Sequence, residues 1–187
     1  MRLPITPVTT LWRALRDEVR HDHRGGRVVL AVDAADAETS AAFADGFAEV
    51  FAEDGSVAVR ASIRDFGRPR AELAGGAFPY DAATFRRVLV DPFRDGAQTG
   101  GTTGFQLAAY DADRDAPVEA QWVTAPRDAV LIVDGTLLQG DELRGLWNWA
   151  VWLDTGDPQH LGEARAASAI VDVTDPDAPR RVYRDFC

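Results

Sequence analysis

The sequence predicts an α/β fold, a three-layer α/β/α sandwich around a mostly parallel sheet with an inserted β-hairpin. Three observations lead there. Residues 28–32 (VVLAV) and 129–133 (AVLIV) are unbroken apolar runs, the pattern of strands covered on both faces rather than one. After the first run, Phe43, Phe47, Val50 and Phe51 recur at helical spacing. Strand-like and helix-like segments then alternate to the end of the chain, the arrangement that builds a doubly wound sheet. With 187 residues, 46% hydrophobic and 27% charged, the chain has the balance of one domain with a sizeable core, and no internal repeat or long linker divides residues 1–187.

Taken in order, residues 6–20 predict an amphipathic helix, because Leu11, Leu15 and Val19 return every four residues and the glycines of HDHRGG close an N-terminal segment spanning 1–25. His21 and His23 lie in that closing turn; with no third ligand nearby they read as a solvated helix end rather than a metal site. The first strand and its Phe-rich helix occupy 27–51. SVAVRASI, residues 56–63, is the next strand, and YDAATFRRVLVDPF is a helix expected to stop at Pro92, since proline interrupts the helical hydrogen-bond ladder. A glycine and threonine loop, DGAQTGGTTG, leads into a segment whose alternation on either side of DADRDAP predicts a hairpin over 104–123. Residues 128–135 form another buried strand ending in Asp134 and Gly135. LWNWAVWLD is a further strand, DPQHLGEARA a short helix, and 167–186 a last strand with its tail.

All 20 basic residues are arginine, and the formal charge is −10. Such an acidic chain has no general attraction for nucleic acid or anionic membranes, so neither is expected as a partner. Without lysine, no Schiff base and no lysine cradling a phosphate can occur anywhere in it. Cys187 is the single cysteine, which excludes an intrachain disulfide and a cysteine zinc cage; its thiol reads as an ordinary tail group, with pairing between chains or modification as the alternatives. No apolar run approaches the roughly 20 residues of a spanning helix, and the N-terminal residues lack a cleavable leader pattern, so a cytoplasmic protein is expected.

Residues 27–51 pose the functional question. A strand, a tight turn and a helix are the usual setting of a phosphate-binding loop, yet the glycines and lysine of such a loop are absent. The order of segments resembles the uridine kinase-like branch of the P-loop nucleoside kinases over nearly the whole chain. RVVLAVD is similar to the strand entering the Walker A loop, SIRDFGRPR to the segment with the nucleoside-side acid, and YDAATFRRVLVDPFRDG to the helix after the substrate motif. FQLAAYDADRDAPV resembles the family's hairpin, DAVLIVDGTLLQGDELRGLWNWAVWLD its Walker B-type strand with the next helix and strand, and IVDVTDPDAPR its closing strand. The resemblance implies a P-loop NTPase-like parallel sheet flanked by helices.

It also implies a damaged site. The family pattern GxxxxGK[ST] places its first glycine on Ala34, its second on Thr39, its lysine on Ser40 and its magnesium hydroxyl on Ala41. Asp36 and Glu38 put carboxylates in the same loop, and a like charge about 4 Å from a phosphate opposes it by about 4 kcal/mol at an effective dielectric near 20. Losing the charged hydrogen bond of lysine costs roughly 1.5–3 kcal/mol more, whereas millimolar affinity amounts to only about 4 kcal/mol. Arg64 takes the position of the proton-accepting acid and cannot act as a base. Asp65 follows it, and strand alternation aims that side chain away from the old site. Arg68 suits either an anion or a solvated bend with Pro69. Tyr80 and Asp81 match the nucleoside-side motif, Asp81 serving equally as a helix N-cap. Asp134 ends the strand where the family uses an acid to arrange magnesium, although an acid and a glycine at a strand end are also ordinary turn chemistry. The family's arginine-bearing lid is missing, and Arg165 reads either as its remnant or as a surface charge on a shortened helix. Trp147, Trp149 and Trp152 fall on apolar core positions.

With these losses the resemblance implies a catalytically degenerate kinase, a pseudokinase acting as a binding, regulatory or assembly module. No cofactor is expected, and the partner is an unspecified protein, a small molecule or a second copy of the chain. The alternative is an active nucleoside or small-molecule kinase using Mg-ATP, with Asp134 on the metal, Asp65 or Asp81 as base, and Ser40 with helix amides on the phosphates. A third reading gives the altered cleft an uncharged or cationic ligand, for which Asp36 and Glu38 are assets.

Overall fold

The structure, a computed structural model, describes residues 2–100, 103–157 and 166–183. In chain order, α1 (Pro7–Asp22) and β1 (Val28–Ala34) are followed by α2 (Ala37–Ala52) and β2 (Ala58–Ser62). Helical turns α3 (Ala82–Phe85) and α4 (Asp91–Gln98) come next, joined by a π turn at Arg86–Val90. Four two-residue strands follow, β3 (Phe105–Gln106), β4 (Tyr110–Asp111), β5 (Ala116–Pro117) and β6 (Trp122–Val123). The chain closes with β7 (Val130–Gly135), β8 (Trp149–Asp154), β9 (Ala169–Asp172) and β10 (Arg180–Val182). The central sheet has the order β10-β9-β8-β1-β7-β2, parallel throughout except for β10 at one edge. This is the mostly parallel sandwich that the apolar runs predict.

Each central strand divides its side chains between two cores, because successive residues face opposite sides. Leu30, Val32, Val130 and Ile132 pack with Leu15, Val19, Phe43, Phe47 and Phe51 beneath α1 and α2. Val29, Ala31, Leu131 and Val133 pack on the other side with Phe66, Phe85, Leu89, Phe93 and Phe105. At about 1.5–3 kcal/mol for each large apolar side chain fully buried, these two layers hold the strand ends that form the site. Trp149 and Trp152 are core residues, while Trp147 is partly buried and donates its Nε1–H to the Leu138 carbonyl at 2.6 Å.

Local chemistry sets the element boundaries. Helix α1 starts from a reciprocal cap: the Thr6 hydroxyl accepts the Thr9 amide at 3.1 Å, and the Thr9 hydroxyl accepts the Thr6 amide at 3.0 Å. Pro7 occupies the first turn, where its missing N–H is no loss. Pro92 does not stop the following helix, contrary to the expectation from sequence. The chain widens into the π turn just ahead of Pro92 and resumes as α4 to Gln98, so the lost proline N–H is accommodated instead of ending the helix. Gly135 ends β7 at φ +151°, and a Cβ there would lie 2.3 Å from Ile63 Cγ2, so this position requires glycine. Residues 105–123 fold as two nested antiparallel pairs, β3 with β6 and β4 with β5. The short helix expected around DPQHLGEARA, with Arg165, lies outside the described residues, as does Cys187. Among the described residues no helix is long and apolar enough to cross a membrane.

Candidate functional site

The carboxyl ends of the parallel strands gather Asp33 and Ala34 of β1, Ser62 of β2, Asp134 of β7 and Asp154 of β8 at one edge of the sheet. In open α/β sheets this is the edge where ligands bind. Helix α2 begins there, separated from β1 by Ala35 and Asp36 alone. Asp36 is its N-cap: one carboxylate oxygen accepts the Thr39 amide at 2.7 Å. Thr39 and Ser40 are therefore helical, and Ser40 is fully buried with its hydroxyl donating to the Ala37 carbonyl at 3.0 Å. Ala34 is buried at the end of β1, and Glu38 is exposed in the first helical turn, where its charge suits the positive end of the helix dipole.

On the β2 and β7 side of this helix start lies a cavity of about 390 Å³ lined by Arg60, Ser62, Arg64, Asp65 and Asp134. The register pairs Ser62 with Asp134 and Arg60 with Ile132, so the Arg60 guanidinium and the Asp134 carboxylate share one face of the sheet. Arg60 Nη1 sits 2.8 Å from Asp134, which is only 3% exposed, and Arg60 Nε donates to Asp45 of α2 at 3.0 Å. Burial raises the Asp134 pKa, and Arg60 and the Ser62 hydroxyl pull against that rise without cancelling it. Asp65 is not on a strand. It belongs to the 3₁₀ turn Ile63–Phe66, strand alternation does not govern it, and it lines the same cavity as Asp134. Its pKa is also raised, first by burial and then by the Asp134 charge. Arg64 is exposed and pairs with Asp113 at the hairpin tip.

Arg68, Tyr80 and Asp81 are held elsewhere. Arg68 and Asp81 line a separate cavity of about 360 Å³ with Glu72 and Tyr110. Arg68 Nε donates to the Tyr80 carbonyl at 3.0 Å, and the Tyr80 hydroxyl lies 2.7 Å from the Thr136 hydroxyl. Asp81 caps α3 by accepting the Thr84 amide at 3.0 Å. Burial opposes ionisation of Asp81, but donation from the Thr84 amide and hydroxyl outweighs it and the pKa falls. His23 Nε2 lies 3.1 Å from the Asn148 carbonyl oxygen, and among the described residues no group of three or more His, Cys, Asp or Glu could hold a metal ion.

The third cavity, about 500 Å³, opens on the opposite side of the α2 start and includes Asp36, Glu38 and Thr39 with Trp12 and Phe43. Of the site residues read from sequence, Asp65, Asp134 and Arg64 line the first cavity, Arg68 and Asp81 the second and Asp36, Glu38 and Thr39 the third, whereas Ala34, Ser40 and Tyr80 line none of the three. Arg60, Asp33 and Trp12 were not singled out by sequence. Asp33 accepts the Gln139 amide at 3.1 Å and its side-chain Nε2–H at 3.3 Å, joining β1 to the loop after β7. The single available signal for Arg60 was a basic residue inside an otherwise apolar strand segment.

No family model matches the chain, and no curated protein matches it. Solved structures do match. A possible uridine kinase from Bacillus stearothermophilus is 17% identical, with 79% of each chain covered and a TM-score of 0.61. A proposed fructose transport system kinase from a Silicibacter species is also 17% identical, covering 76% of this chain and 74% of that one at a TM-score of 0.58. D-glycerate 3-kinase from Cryptococcus neoformans is 11% identical, covering 82% and 72% at a TM-score of 0.51. At these identities the likeness concerns the path of the backbone. The chain therefore carries the mostly parallel α/β fold of the P-loop kinases.

Proposed function

We propose that this kinase-fold protein does not transfer phosphoryl groups and works instead as a binding or regulatory module. The observation that carries this reading is the Asp36 carboxylate on the Thr39 amide at 2.7 Å. A helix start holds phosphate through converging amides and the positive end of its dipole. Here a carboxylate of the chain itself takes one of those amides, with Glu38 two residues on. A triphosphate would have to break a cap worth about 1 kcal/mol and approach two like charges, each opposing it by about 4 kcal/mol at about 4 Å and an effective dielectric near 20. A magnesium ion arriving at Asp134 would compete with the guanidinium of Arg60. The residues present do not fit Mg-ATP. Calorimetric titration of the full chain with Mg-ATP is expected to show no binding in the micromolar range, and micromolar binding would overturn the reading.

One observation favours a second reading, an active kinase: Asp65 and Asp134 line one cavity, and both have raised pKa values. It requires ATP-dependent phosphorylation of a nucleoside or other small alcohol that Asp134→Ala abolishes. Ser40 is buried within α2 and does not serve the phosphates in this arrangement.

A further inference from the structure

We propose that the cavity between α1 and the start of α2 binds an organic cation, a protonated amine carried on an aromatic or alicyclic body. Its volume of about 500 Å³ lies within the roughly 300–1,000 Å³ typical of small-molecule sites. Trp12 and Phe43 supply an aromatic wall, their rings edge to face at 5.7 Å, and Val173 and Pro176 close the side beneath the end of β9. Asp36 and Glu38 are the charged residues at its border, and among the described residues none of the chain's arginines lines it.

That combination selects the sign of the ligand. An anion meets two carboxylates and no counter-charge. An uncharged body of the same shape strips water from those carboxylates and offers nothing in return. An ammonium group placed beside Asp36 and Glu38 answers both, while its apolar body takes the place of water against Trp12 and Phe43. The chain's formal charge of −10 raises the local concentration of cations in the same sense. The wall is firmly placed. The six-membered ring of Trp12 lies so close over Gly46 that a Cβ there would fall 2.0 Å from it, so a flat ring is seated against a bare stretch of α2. The inference rests on the proposed function in one respect, that no nucleotide occupies the start of α2.

The test is calorimetry on the full chain with three probes of similar shape: phenethylamine, phenethyl alcohol and phenylacetate. The amine is expected to bind at least about tenfold more tightly than the alcohol, a difference of about 1.4 kcal/mol, with the acid weakest. In Asp36→Asn/Glu38→Gln, where asparagine still caps the helix, the preference of amine over alcohol should vanish while the affinity for alcohol is kept. Trp12→Leu should weaken both. Equal binding of amine and alcohol to the native protein overturns the proposal, and that comparison needs no variant to fold. So does absence of amine binding at millimolar concentration, or an amine preference that survives in the neutralised variant. A Mg-ATP arm in the same experiment separates the two claims: silence to amine and ATP alike sinks the cation site alone, whereas ATP binding sinks the proposed function.

Discussion

The two flanks of the α2 start meet the same helix end with opposite electrostatic arrangements. On the β2 and β7 flank, charge is answered within the protein: Arg60 bridges buried Asp134 and exposed Asp45, and Arg64 pairs with Asp113. On the α1 flank, Asp36 and Glu38 border an apolar cavity that no described arginine lines. The difference follows from burial. A carboxylate as deep as Asp134 needs a permanent partner, because an unpaired buried charge costs several kcal/mol, whereas exposed carboxylates are satisfied by water and can exchange it for a ligand. On the first flank the deepest carboxylate, Asp134, is paired with an arginine of the chain itself, and on the second Asp36 and Glu38 border a cavity that no described arginine lines.

The largest effect expected from breaking this contrast is at Arg60. Arg60→Ala leaves Asp134 buried without its cation and should destabilise the fold by about 3 kcal/mol, the lower end for a broken buried pair because Arg60 is itself partly exposed. Urea denaturation measures this, and adding Asp134→Asn should recover a large part of the loss. Recovery would show that the damage lay in the stranded charge and not in the missing arginine stem. Next comes Gly46→Ala, which drives a methyl group into the Trp12 ring. Overpacking costs about 1–3 kcal/mol and the helix preference for alanine returns up to about 1 kcal/mol, so a net loss of about 1 kcal/mol and a disturbed cavity wall are expected in thermal melts. Asp36→Ala removes the cap and should cost about 1 kcal/mol, while Asp36→Asn should cost only a few tenths. An equal loss in both would mean that the charge, not the cap, holds the helix start.

The smallest effect is a pair of opposed pH dependences. Burial first, and then the Asp134 charge, hold the Asp65 pKa above its ordinary value, so the folded state keeps its proton longer than the unfolded chain. Stability from this group therefore falls as pH rises from the ordinary carboxylate range through the raised value, and Asp65→Asn should flatten that part of the curve. Glu53 behaves oppositely. Hydrogen bonds from Arg13 and from the Leu3 amide bring its pKa down to about 2, so its contribution is present above the ordinary range and is lost as pH falls towards that value. Glu53→Gln should remove the acid-side loss alone.

Much of the fold was legible because it rests on patterns that local sequence carries. The apolar runs of β1 and β7 announce strands covered on both faces, and Phe43, Phe47 and Phe51 announce the buried face of α2. Pro92 misled because a π turn accommodates its missing N–H, a solution that depends on the packed helix around it. The site was less legible, since its contacts cross long separations in sequence. Asp134 finds Arg60 only through the register of β7 on β2, and Trp12 reaches Asp36 and Phe43 only when α1 lies across α2. Asp65 was misdirected because the strand stops at Ser62 and the chain tightens at Ile63, after which strict alternation no longer applies. The capped start of α2 was foreshadowed by Asp36, but whether DAADAETS wraps or winds depends on the hydrogen bond from the Thr39 amide.

That hydrogen bond can be watched directly. In an amide-resolved NMR titration of the full chain with Mg-ATP, the resonances of Ala37, Glu38, Thr39 and Ser40 should stay in place to millimolar nucleotide, because the carboxylate of Asp36 already holds the helix start. Saturable shifts centred on those four amides at micromolar concentration would contradict the account, for they would mean that phosphate displaces the cap and that a nucleotide binds at the start of α2.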